Sequence, residues 1–149
     1  MSKQVIEQKL AELMDLVPEC EGLIAADPSG KVIIGQTLTD MNHSKIAKAC
    51  TQILNDSNVL GNDIKKGIIK NTTIELEEGF AVLVGSKKLV LVALAGVDGR
   101  ASLGLLKRNL TSISKLLFLF FYFLRNFKVF YNVENSFHSE NFNNNYFLM

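Results

Sequence analysis

The sequence predicts one α+β domain, an α/β sandwich in which a five-stranded antiparallel sheet has two helices on one face and a third on the other. Three observations predict it. GLIAADPSGKVIIGQT, Gly22 to Thr37, reads as two short apolar strands around a tight turn. Pro28 pre-sets the corner, Gly30 takes the positive φ that closes it, and Asp27 bonds back onto the turn backbone. Three further apolar segments separated by Glu78-Gly79 and Ser86-Lys87-Lys88 read as a meander. Three other stretches carry apolar residues at helical spacing, so the element order is α-β-β-α-β-β-β-α.

The first helix spans about Lys3 to Leu16. Ile6, Leu10, Leu13 and Val17 fall at steps of four, three and four, and Pro18 stops it. Strands over Gly22–Ala26 and Lys31–Gly35 follow. The second helix starts at an Asp40 cap, or at Ser44, and runs to Leu60 before the Gly61-Asn62 stop. It carries two adjacent stripes. Ile46, Cys50, Ile53 and Leu60 are the greasier one and are expected on the sheet. Ala47, Thr51, Leu54 and Asn58 are smaller and suit the close approach of another helix. In the strand over Ile68–Glu77, Ile74 and Leu76 alternate with Thr73, Glu75 and Glu77, so one face is wet. Phe80–Gly85 and Leu89–Ala95 are apolar strands. The last helix, Ser102 to Leu117, shows Leu103, Leu106, Leu110, Ile113 and Leu117.

At 149 residues and a net charge of +1, the chain has room for one proper core, placed at residues 1–117. Its basic residues are scattered in pairs, which argues against nucleic acid as a partner. MSKQVIEQKLAEL has no apolar core of the kind a secretory signal needs, so a cytoplasmic location and reduced Cys20 and Cys50 are expected. The N-x-S/T triplets at Asn42, Asn71 and Asn109 then carry no sugar.

Residues 118–149 obey other rules. They hold nine of the ten phenylalanines and all three tyrosines. LLFLFFYFL, Leu116 to Leu124, is nine residues before Arg125, against the roughly 20 that span a bilayer. Three readings stand for this tail: a membrane or partner attachment, a continuation of the last helix onto a membrane surface, or the texture of AT-rich DNA translated without selection.

The order and these residues together resemble the roadblock family of dynein light chains and small-GTPase regulators, with a profilin-like fold. The supporting segments are Val17-Pro18 leading to GLIAADPSGKVI, the Ala-rich IAKACTQIL, the acidic TIELEEG, the apolar LVLVALAG and ASLGLLKRNL with Gly104. The match runs from about Leu13 to Leu117. The resemblance implies a dimer, homodimeric or with another roadblock protein, joined edge to edge through the third strand with the second helices side by side. The interface would then use Ala47, Thr51, Leu54 and Asn58 with Thr73, Ile74 and Glu75. It also implies a Ras-like small GTPase as partner, with Lys45, Lys48, Gln52, Asn55 and Asp56 left facing outward to meet it.

No catalytic constellation, cofactor motif or metal-ligand spacing is expected. No G-x-x-x-x-G-K-[ST] occurs. GVDGRASLG, Gly96 to Gly104, has neither phosphate-loop spacing, and reads as a helix entry. Arg100 invites an arginine-finger reading but is expected to be a solvated loop residue. His43 is expected solvated and His138 lies in the tail, neither with a ligand partner. Acidic neighbours of Cys20 disfavour a nucleophile. The leading function is a non-catalytic platform that regulates or localises a GTPase. The alternatives are a light-chain adaptor clamping a helical segment of a motor or scaffold, and a small-molecule sensor. The sensor reading is the weakest, because the inward-facing strand residues are uniformly apolar and supply no polar groups to orient a ligand.

Overall fold

The computed structural model describes residues 2–144, with side chains described for residues 3–128. The elements are α1 (Ser2–Leu16), β1 (Cys20–Ala26), β2 (Val32–Thr37), α2 (His43–Asp63), β3 (Thr72–Leu76), β4 (Gly79–Gly85), β5 (Val90–Gly96), a 3-10 turn (Val97–Ser102) and α3 (Leu103–Asn144). The expected order of helices and strands is the observed one. The third helix, expected to end at Leu117, continues to Asn144. Two compact units result, Met1–Leu116 and Leu117–Met149.

In the first unit the strands lie in the order β2-β1-β5-β4-β3, every neighbouring pair antiparallel. The β1-β2 hairpin and the β3-β4-β5 meander meet where β5 pairs with β1. The three central strands are therefore those buried on both faces, and their sequences CEGLIAA, GFAVLVG and VLVALAG are correspondingly apolar runs. β2 and β3 are the edges: β2 is half-buried throughout, and β3 alternates between half-buried and exposed residues from Thr72 to Glu75.

Alternation along the strands makes two cores. Ile24, Ala26, Ala81, Leu83, Val90 and Val92 pack under α2 with Ala47, Cys50 and Leu54. Their sequence neighbours Leu23, Ala25, Val82, Leu91 and Ala93 are buried on the opposite face, which takes Ile6, Leu10 and Leu13 of α1 and Leu106 and Leu110 of α3. The α1 stripe is buried as its spacing predicts, with Ile6, Leu10 and Val17 at 1 % exposure.

Turn chemistry fixes the hairpin. Asp27 Oδ1 accepts from the Ser29 amide at 2.9 Å, the Ser29 hydroxyl at 2.5 Å and the Lys31 amide at 3.1 Å. Those bonds hold its carboxyl below the usual aspartate range, the Ser29 hydroxyl contributing most and the Lys31 amide next. Gly30 has φ of 89° and sits directly over α2, where a Cβ would stand 3.3 Å from Lys48 Cα. The turn needs glycine both for its left-handed backbone and for that approach.

Candidate functional site

The surface expected to meet partners is built from α2 and the β3 edge. α2 is capped by Asn42, not by the expected Asp40 or Ser44: Asn42 Oδ1 accepts from the Lys45 amide at 3.0 Å. His43, expected in solvent, is half-buried over Gly35. Thr37 donates its hydroxyl proton to Thr39 O at 2.7 Å. The 2.9 Å contact between His43 Nε2 and Thr37 Oγ1 is therefore a donation from the imidazole N–H. At the other end Gly61 is not a terminal stop but lies inside the helix. The chain folds back so closely that Gly67 O occupies the place a Gly61 Cβ would take.

The sheet contact of α2 is drawn mainly from the smaller stripe, with Cys50 and Ile46 of the greasier one beside it. Ala47, Cys50, Thr51 and Leu54 are the buried residues of the helix, Ala47 fully so. Asn58, half-buried, accepts from the Ile69 amide at 2.8 Å and tethers the returning loop. The expected helix–helix surface Ala47/Thr51/Leu54/Asn58 is thus consumed within the chain. Of the stripe expected on the sheet, Cys50 is buried, Ile46 is half-buried, and Ile53 and Leu60 are exposed, Leu60 at 59 %. The cause is the low seat of the helix. Gly30 approaches the Lys48 backbone and Gly85 the Leu54 side chain, leaving room underneath only for small residues and one leucine.

What remains outward is a pair of neighbouring faces. Ile53 and Leu60, with Ile64 one turn beyond, form an apolar strip. Beside it Lys45, Lys48, Gln52, Asn55 and Asp56 are all exposed, with Gln52 donating to Asp56 Oδ1 at 2.9 Å. The five residues expected to face outward do so, whatever they meet there.

On the β3 edge, Thr73 and Glu75 point away from α2 and are exposed, while Ile74 packs against the α2-side core. Glu75 is paired with Arg100, and the Arg100 guanidinium lies 5.1 Å from the centroid of Phe80, the residue opposite Glu75 in register. Arg100 is exposed, as expected of a solvated loop residue, and its head group also reaches across to the edge strand. It supplies Glu75 with a counter-charge from within the chain. The carboxylates of Glu21 and Asp98 close around Gly96, which makes the Gly96 to Gly104 loop unsuitable as a phosphate cradle.

Beside α2, Pro28, Thr51, Leu54, Asn58, Ser86 and Lys87 help line a cleft of about 270 Å³. Its polar lining residues come from α2 and the loops, while the inward-facing strand residues are apolar as expected. Thr51 Oγ1 is buried there with no hydrogen-bond partner. Both cysteines are buried free thiols, and burial pushes each up from the usual thiol range. Among the described residues no three His, Cys, Asp or Glu side chains gather.

No protein-family model and no curated protein matches the sequence. Solved structures do match the fold. MglB of Myxococcus xanthus superposes with a TM-score of 0.71 at 18 % identity, over 82 % of this chain and 91 % of that one. The gliding protein MglB of Thermus thermophilus gives 0.68 at 10 % identity, over 78 % and 90 %. A Roadblock/LC7 domain from Streptomyces avermitilis gives 0.66 at 16 % identity, over 75 % and 93 %. The sheet order, the three helices and these superpositions agree: the chain carries the roadblock fold shared by Roadblock/LC7 domains and MglB proteins.

Proposed function

We propose that this chain is a non-catalytic platform that pairs with a second roadblock protein, a copy of itself or another, and holds a Ras-like small GTPase to regulate or localise it. One observation carries the reading: α2 presents an unpartnered apolar strip and an unpartnered polar face side by side, while β3 leaves a free sheet edge. An exposed apolar strip suits burial against a like chain, and a mixed-charge face suits a partner that must come and go. The likeness to MglB structures, one described as MglB with tetrameric arrangement, supports assembly. In the dimer Ile53 and Leu60 replace Ala47, Thr51 and Leu54 as the helix contacts, and Thr73, Ile74 and Glu75 stay at the strand contact.

Two readouts test this. Ile53→Asp should shift sedimentation toward the monomer without lowering the unfolding midpoint measured at low protein concentration. Capture of GTPases on the full chain should differ between GDP and a non-hydrolysable GTP analogue, and a Lys48→Glu/Asp56→Lys double variant should weaken titrated binding about tenfold while leaving the dimer intact. Nucleotide-independent capture of a helical segment of a larger protein would move the assignment to a light-chain adaptor.

A further inference from the structure

The roadblock fold accounts for the first unit and leaves residues 118–128 unexplained. There α3 exposes Leu119 at 63 %, Phe123 at 73 % and Phe127 at 62 %, at positions i, i+4 and i+8 on one helix face. Phe118, Tyr122 and Leu124 are exposed as well. Arg125 and Lys128 fall off that stripe, about 100° or more around the helix from Phe123 and Phe127. The charge pattern is one-sided. From Gly99 to Val133 there is no aspartate or glutamate, while Lys107, Arg108, Lys115, Arg125 and Lys128 give five cations besides the Glu75-paired Arg100, in a chain whose net charge is +1.

We propose that residues 118–128 form a membrane-surface anchor, lying in the headgroup region of an anionic leaflet with Leu119, Phe123 and Phe127 inserted and Arg125 and Lys128 on lipid phosphates. An apolar stripe of this kind would suit a protein groove equally, but the acid-free, cation-rich flanks select an anionic surface. Two signals, apolar insertion and basic charge, are what stable peripheral attachment requires. Crossing the bilayer is a different matter. The helix is long and apolar enough over Val97–Lys128 by length and composition. Yet Leu106, Leu110 and Ile113 within that stretch are buried in the first unit and cannot face lipid. The remaining run, Leu116 to Leu124, rises about 14 Å, less than half of the roughly 30 Å hydrocarbon core.

The test is sedimentation of the full chain with extruded vesicles of phosphatidylcholine alone or with roughly 30 % phosphatidylserine. The chain should pellet with the anionic vesicles at least tenfold more tightly than with the neutral ones. Arg125→Gln/Lys128→Gln should weaken anionic binding about thirtyfold, and added salt should do the same. Leu119→Glu/Phe123→Glu should abolish it on both compositions. All variants should keep the unfolding midpoint of the wild type, because the replaced side chains are exposed. No pelleting, equal affinity for the two compositions, unchanged binding by either double variant, or resistance to alkaline carbonate extraction would each overturn the proposal. The anchor stands apart from the GTPase reading, since a chain that fails to pellet can still dimerise and capture a GTPase.

Discussion

Replacing Leu54 by alanine and Ile53 by alanine should give opposite results, though the two residues are adjacent. Leu54 is 4 % exposed and packs on Gly85, whereas Ile53 is 36 % exposed. Leu54→Ala removes three carbons from the core, about 2.4 kcal/mol at roughly 0.8 kcal/mol per methylene. A sealed site would add a cavity penalty of similar size. Here the vacated space opens on the cleft beside α2, which Leu54 already lines, so water or neighbouring side chains relieve most of that term. The expected loss is therefore about 2.5 kcal/mol, at the low end for buried leucines. In a unit of this length that lowers the midpoint by about 10 °C. Ile53→Ala should change folding stability by less than about 0.5 kcal/mol, since alanine's helix propensity offsets a half-lost side chain. Its effect should appear in self-association. Urea titrations over a range of protein concentrations, with sedimentation velocity, separate the two quantities. A Leu54→Ala chain that kept its midpoint while losing association would mean that α2 is seated the other way round, and the placement of both stripes would fall.

Two further outcomes follow from side chains in the first unit. Thr51→Val replaces a buried hydroxyl that has no partner with an isosteric methyl, and should raise stability by about 1 kcal/mol in thermal unfolding; a fall would show the hydroxyl bonded. The Asp27 carboxyl titrates below its ordinary value near 3.8, so its contribution is full above about pH 4 and lost as pH falls through the folded-state value. Asp27→Ala should therefore be less stable than the wild type at neutral pH, with the gap narrowing in acid; a gap constant with pH would remove the turn carboxylate as its cause.

Much of the architecture was legible because periodicity reports burial. The α1 stripe, the apolar strands β1, β4 and β5, and the Asp27–Gly30 turn are all read from residue order and lie where that order places them. The seat of α2 was not legible. Hydrophobicity favours the Ile46/Cys50/Ile53/Leu60 stripe, but the choice is made by backbone distance. Gly30 and Gly85, some distance away in sequence, bring the sheet so near that size outranks greasiness. The same limit hid Arg100: its partner Glu75 and its platform Phe80 come from the strands of another hairpin, and no local spacing joins them. Asn42 was missed for a simpler reason, since three candidate caps stand within five residues and only geometry selects one.

The Arg100 bridge bears on how the β3 edge chooses its company. A bare carboxylate on an edge strand is a gatekeeper: it deters any passing strand by charge alone. At Glu75 the gate is already balanced from within the chain, so repulsion no longer does the sorting. Shape does it instead. An arriving strand has to fit beside a guanidinium resting over Phe80, and one that dislodges it uncovers both a lone anion and an aromatic ring. Admission to this edge is thus decided by fit at short range around that exposed pair.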